Sequence, residues 1–148
     1  MLRNLYHLAI DATLEILSGK WKLLILCHLG DGTLRTGELK RRMPGISQRM
    51  LTLQLRDLEK AGIISRKVYK EVPPRVEYSL TERGLSLRHI LEDMSDWGST
   101  LIEERRQAGE IIEVIAPNDN GLRNTLPSHS DNNLEGQNPT ASTSKALK

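Results

Sequence analysis

Apolar and polar positions separate most cleanly between Gly45 and Gly62. At about 100° per residue, Leu51, Leu55 and Leu58 form one stripe, while Gln48, Thr52, Arg56 and Glu59 fall opposite, with Arg49 and Lys60 beside them. The spacing predicts an amphipathic helix over 47–60. Ser47 is placed to cap it, Ile46 to staple onto Leu51, and Gly62 to stop it. Upstream, residues 11–17 carry a short helical pattern broken at Ser18-Gly19, and residues 20–29 are apolar nearly all round, as a core helix is. Gly30-Asp31-Gly32 ends that helix. Thr36 is expected to cap the next one, 37–43, with Glu38 in its first turn and Leu39 and Met43 facing inward. Pro44-Gly45 then turns the chain. Two helices joined by a tight turn, the second basic and amphipathic, form a helix-turn-helix pattern.

After Gly62 the period changes to two. Ile64 and Val68 alternate with Arg66, and Val76, Tyr78 and Leu80 alternate with Glu77 and Ser79, as expected of two half-buried strands. Pro73-Pro74 lack N–H donors and cannot sit within a ladder, so 69–75 is read as a hairpin loop. A helix-turn-helix followed at once by a hairpin with Lys67, Lys70 and Arg75 around its tip is a winged-helix layout, in which the wing meets phosphates or the minor groove.

Thr81 is expected to cap one long final helix running to about Arg106, with Leu87, Leu91, Met94, Gly98 and Leu101 on a stripe reinforced by Ile90, Trp97 and Ile102. Such a helix is longer than a domain of this size covers, which favours a symmetric dimer seam over packing within one chain. The apolar patch 111–115 can extend that helix, form a strand or dock elsewhere. From Pro117 on the chain is rich in Asn, Ser, Thr and Pro without an aromatic residue and reads as a disordered tail. The expected organisation is therefore one domain over 1–106, an undecided extension over 107–116 and a tail over 117–148.

Charge sharpens this picture. The chain of 148 residues is only +2 overall, yet between Thr33 and Arg75 eleven basic residues face four acidic ones, a net +7, against −5 for the remainder. That asymmetry argues for a polyanion-facing module on a more neutral scaffold, or else for a surface that takes an acidic protein. The longest unbroken apolar run, 23–27, falls far short of the roughly 20 residues of a membrane span. The N-terminus makes a poor signal peptide, so the cytoplasm is the expected compartment and no membrane partner is expected.

Double-stranded DNA fits the basic segment better than chemistry does. Arg pairs bidentately with guanine, Gln with adenine, and a Thr methyl touches thymine, so Gln48, Arg49, Thr52 and Arg56 are expected at base edges or the adjacent backbone. Arg35, Lys67, Lys70 and Arg75 are expected on phosphates, with Thr36 and Ser47 at the starts of the two helices completing the set. An amphipathic helix with a solvated polar face is the plain alternative. No catalytic site, metal or cofactor is expected: the four histidines are scattered, Cys27 and His28 are adjacent and diverge on a helix, and no Gly-rich phosphate loop is present. The competing function is a winged-helix adaptor that binds a protein and not DNA.

The motifs Gly19-Lys-Trp-Lys-Leu-Leu-Ile-Leu26, Gly37-Glu-Leu-Lys-Arg-Arg42, Pro44-Gly-Ile-Ser-Gln-Arg-Met-Leu-Thr52, Leu55-Arg-Asp-Leu-Glu59 and Glu71-Val-Pro-Pro-Arg-Val-Glu-Tyr-Ser-Leu-Thr-Glu-Arg-Gly84 stand in this order. Together they resemble the HxlR family of bacterial transcriptional regulators, over about 8–106. The resemblance implies an α+β, mainly helical fold, a MarR-like winged helix-turn-helix with a long C-terminal dimerisation helix, acting as a homodimer on dyad-symmetric operators. It implies that the N- and C-terminal helices interlock, which makes Leu14, Leu17, Leu87, Leu91, Met94, Trp97 and Leu101 the expected dimer contacts. A small-molecule effector is possible on this reading and its identity is open. Family members that sense thiol-reactive compounds carry a cysteine just ahead of the first helix; near Leu8-Ala9 this chain has none. Cys27, among Leu23, Leu24 and Leu26, is expected to be a structural filler and not a sensor.

Overall fold

The structure, a computed structural model, describes residues 2–115. The tail expected over 117–148 lies outside the described residues. The elements run α1 (Ala9–Leu17), α2 (Trp21–Leu29), β1 (Leu34–Arg35), α3 (Thr36–Arg42), α4 (Gln48–Lys60), β2 (Ile64–Tyr69), β3 (Arg75–Leu80), α5 (Glu82–Leu85) and α6 (Arg88–Gln107). This is a winged helix-turn-helix.

α2 is the core helix, with Ile25, Leu26 and Leu29 buried. Around it close Leu39 within α3 and Met43 just past its end, Leu51, Leu55 and Leu58 from α4, and Ile63, Ile64 and Tyr78 at and within the hairpin. Leu51, Leu55 and Leu58 are each at most 1% exposed, and burying one contributes roughly 1.5–3 kcal/mol. A Lys22–Asp57 ion pair at 3.4 Å crosses from α2 to α4. α3 corrects one expectation: Thr36 is its first helical residue and not its cap, because Arg35 holds the extended cap position and its N–H donates to the Glu38 carboxylate at 3.3 Å.

The sheet is antiparallel in the order β1-β3-β2, so β3 is central and β2 an edge. The two-residue β1 was not anticipated. Register corrects another expectation. Ile64 pairs with Leu80, Arg66 with Tyr78 and Val68 with Val76, so Ile64, Arg66 and Val68 share one face and do not alternate across the strand. Ile64 is buried, whereas Val68, near the free end of the edge strand, is exposed.

The single helix expected from 81 to about 106 is two. Thr81 caps the first, its hydroxyl accepting the Gly84 N–H at 3.2 Å while donating to the Gly62 carbonyl at 2.6 Å. Gly84 lies so close to the Ile63 carbonyl that an added Cβ would stand 2.3 Å from its oxygen. At Ser86 and Leu87 ψ flattens to −18° and −8°, the chain tightens through a Leu87 N–H to Gly84 carbonyl bond, and α6 departs. Its 20 residues span about 30 Å.

Of the expected dimer contacts, Leu17 and Leu91 are 6% and 2% exposed, in the protomer's own core, and Leu87 is half-buried and packs against it. Leu14, Met94, Trp97 and Leu101 are exposed.

Residues 108–115 neither continue α6 nor form a strand. Gly109, at φ 98°, turns the chain; the Arg105 guanidinium donates to Glu110 at 2.6 Å and Arg106 donates twice to the Ile112 carbonyl, at 3.1 and 2.8 Å. Val114 and Ile115 thereby come to line a cavity of about 350 Å³ with Trp21, Leu24, His28, Met43 and Pro44. At the other terminus Tyr6 and Arg3 fold onto α1, Arg3 donating its N–H to Glu15 at 3.1 Å. The Tyr6 hydroxyl, and then Arg3, hold the Glu15 carboxyl below its ordinary range.

Candidate nucleic-acid interface

α4 begins where its sequence says it must. Met43 leaves helical geometry, Gly45 takes φ 92°, and the Ser47 hydroxyl accepts the Met50 N–H at 3.0 Å. With the leucine stripe committed inward, Gln48, Arg49 and Arg56 are exposed and Thr52 half-buried. Gln48 and Thr52, one turn apart, touch: the Thr52 hydroxyl donates to the Gln48 carbonyl at 2.9 Å, and Gln48 Nε2 lies 3.5 Å from Thr52 Oγ1. That leaves the Thr52 methyl, and the Gln48 Oε1 with its second amide hydrogen, for a base edge.

Farther along the same face a cleft of about 550 Å³ opens between α4 and the hairpin, lined by Thr52, Arg56, Glu59, Lys60, Arg66 and Tyr78. Arg66 and Tyr78 were not among the residues expected at the interface. A second cleft, about 430 Å³, brings Arg35 and Thr36 at the start of α3 against Glu71, Val72 and Arg75 of the wing. These are the residues the fold gathers; Arg49 and Lys70 lie in neither cleft.

The wing divides its cations. Arg75 is half-buried, 3.4 Å from Glu71 and 3.4 Å from Glu77, with its guanidinium 3.9 Å from the centre of the Tyr69 ring. Its charge is therefore largely answered within the hairpin, where it stiffens the base of the tip. Lys67 is exposed, with its ammonium 4.8 Å from the centre of the Tyr69 ring, and Lys70 is exposed at the tip. Val72, at the end of the loop, is fully exposed.

Elsewhere the chemistry is sparse. Among the described residues no group of three His, Cys, Asp or Glu side chains could hold a metal ion, and no helix is long and apolar enough to cross a membrane. Cys27 is half-buried and packs against the core. Burial, and then Arg42, push the neighbouring His28 below its ordinary pKa, against a smaller opposing pull from Asp31.

Residues 16–106 match the HxlR-like helix-turn-helix family. The HTH-type transcriptional regulator YtcD of Bacillus subtilis (strain 168) is 50% identical over 115 residues, 78% of this chain and 90% of that protein. An HTH-type transcriptional regulator of Methanothermobacter thermautotrophicus is 49% identical over 105 residues, 71% of this chain and 80% of that one. Among solved structures, that of ytcD superposes with a TM-score of 0.63 at 54% identity, covering 65% of this chain and 98% of that one. The redox regulator HypR in its oxidized form superposes with a TM-score of 0.61 at 49% identity, over 63% and 96%.

Proposed function

The chain belongs to the HxlR-like helix-turn-helix family and is a DNA-binding transcription regulator, and from that premise we propose that it acts as a cytoplasmic homodimer that places two copies of α4 on a dyad-symmetric operator. The carrying observation is α4 itself: a capped helix whose apolar stripe is spent inside the protomer, leaving Gln48, Arg49, Thr52 and Arg56 toward solvent. The N-terminal residues of such a helix read base edges in the major groove. Arg35, Lys67 and Lys70 supply backbone contacts beside it, and Arg75 holds the wing in shape.

The dimer reading rests on a second face. On α6, Ile90, Met94, Trp97 and Leu101 recur at helical spacing and are all exposed, as are Ile10 and Leu14 on α1. An apolar stripe this long on an isolated protomer is covered by a second copy in a twofold arrangement. The functional unit on this reading is residues 2–115, with 117–148 dispensable for DNA binding. No catalytic role follows from the site.

Selection of bound duplexes from random DNA by the full chain tests the reading. It predicts enriched sequences with two half-sites related by dyad symmetry, centred about one helical turn or a small multiple apart. Enrichment of a single unpaired site, or of nothing, would contradict it.

A further inference from the structure

We propose that the cleft between α4 and β2 seats a backbone phosphate of the duplex, held by Arg56, Lys60 and Arg66, so that Arg56 positions the protein and does not read a base. The inference rests on the DNA-binding reading of the same face and assigns it a subsite.

Three observations converge. The first is register. Arg66 occupies an inward position, opposite Tyr78, on an edge strand. Its side chain cannot enter the core, which Tyr78 and the α4 leucines fill, and it emerges exposed in the cleft beside α4. The second is charge. The lining carries three cations, Arg56, Lys60 and Arg66, against one carboxylate, Glu59. An excess of cations at the mouth of a concave site favours an anion, and a phosphodiester is the anion a duplex presents at every step of its backbone.

The third is length. Gln48, Thr52, Arg56 and Lys60 follow one another at successive turns of α4, each rotated about 40° around the axis from the last. At 1.5 Å per residue, Arg56 stands about 12 Å and Lys60 about 18 Å along the axis from Gln48. The major groove is about 12 Å wide. A helix that reads bases with Gln48 and Arg49 and runs across the groove therefore reaches its rim by Arg56 and passes it by Lys60. At that rim lies sugar-phosphate backbone, and there the hairpin contributes Arg66.

The consequence is mechanical. A phosphate gripped from both the helix and the wing fixes the angle between them on the duplex, so the wing tip with Lys70 is carried to the next groove in a set register.

The test compares wild type with Arg66→Ala, Arg66→Lys, Arg56→Ala and Arg49→Ala on the selected operator, on operators with single base-pair changes, and on operators carrying one neutral methylphosphonate at successive backbone positions. Circular dichroism checks that each variant is folded, which the exposure of Arg66 favours. Arg66→Ala is expected to weaken operator and unrelated duplex by the same factor, about fivefold, and to lower the salt slope by about 0.9. Arg56→Ala is expected to do likewise, and Arg66→Lys to retain most of the binding because the charge is kept. One methylphosphonate position should weaken wild type clearly more than it weakens Arg66→Ala, because the variant has already lost one of the three cations on that phosphate. Unchanged affinity and slope in Arg66→Ala, or a loss in Arg56→Ala tied to one base pair, would overturn the assignment while Arg49→Ala still loses sequence preference. A wild type without operator preference would instead overturn the DNA reading beneath it.

Discussion

α4 and α6 are both amphipathic, and they differ in where the apolar stripe goes. In α4, Leu51, Leu55 and Leu58 are at most 1% exposed, closed over by α2 and the hairpin. In α6, Met94, Trp97 and Leu101 are 52%, 72% and 40% exposed. The first helix is complete within one protomer, so its polar face is what it offers to a partner. The second keeps its apolar face open, so what it offers is hydrophobic, and on the reading proposed above its complement is a copy of itself. Periodicity alone does not separate the two cases; what separates them is whether other elements of the same chain reach the stripe.

Substitutions on the two stripes should therefore fail differently. Leu58→Ala removes a fully buried side chain and is expected to cost about 2–5 kcal/mol of protomer stability, read as a lowered midpoint in chemical unfolding. Trp97→Asp is expected to leave the helical circular dichroism signal in place and to shift sedimentation from dimer to monomer. A Trp97→Asp protein that remains dimeric would place the seam elsewhere.

The polar face of α4 divides in turn from the wing. Arg49→Ala is expected to cost about 1–3 kcal/mol on the operator and to relax its sequence preference, whereas Lys70→Ala should weaken all duplexes alike and lower the salt slope by about 1. Equal behaviour of the two on operator and random DNA would erase the distinction between reading helix and positioning wing.

The smallest effect expected is a pH dependence at the back of the helix-turn-helix. His28 is held below its ordinary pKa of 6.5, first by burial and then by Arg42. A histidine with a depressed folded pKa binds fewer protons folded than unfolded, so its contribution is present above about 6.5 and is lost as pH falls through the folded value. The melting temperature should drop as pH is lowered from about 7.5 to 5.5, within the range where histidine titrates, and His28→Gln should flatten that drop.

Local signals in the sequence carried much of this structure. The cap at Ser47, the stop at Gly62, the cap at Thr81 and the hairpin around Pro73-Pro74 are each set by one or two residues whose backbone chemistry leaves few alternatives. Features set by tertiary contact were not legible. β1 is two residues long and exists because Leu34 and Arg35 meet Tyr78 and Glu77 of β3. The break at Ser86-Leu87 interrupts a continuous helical pattern because Gly84 packs on the Ile63 carbonyl and Leu87 turns to the core. The same fold hides Leu91, which periodicity groups with the open stripe. Within the candidate site, Gln48, Arg49, Thr52 and Arg56 could be read from the helical face, but Arg66 could not be read from polarity. Its neighbours Ile64 and Val68 are two residues away on either side and so share its face; counting parity exposes it, whereas an apolar-polar tally conceals it.

The central claim is that a pair of protomers joined through the open face of α6 presents two α4 helices to one duplex. Sedimentation equilibrium of the complex formed with a selected dyad-symmetric duplex measures it directly. The account predicts two chains per duplex at saturation, and much weaker binding to a duplex carrying one half-site. One chain per duplex, bound equally well to the half-site, would contradict it.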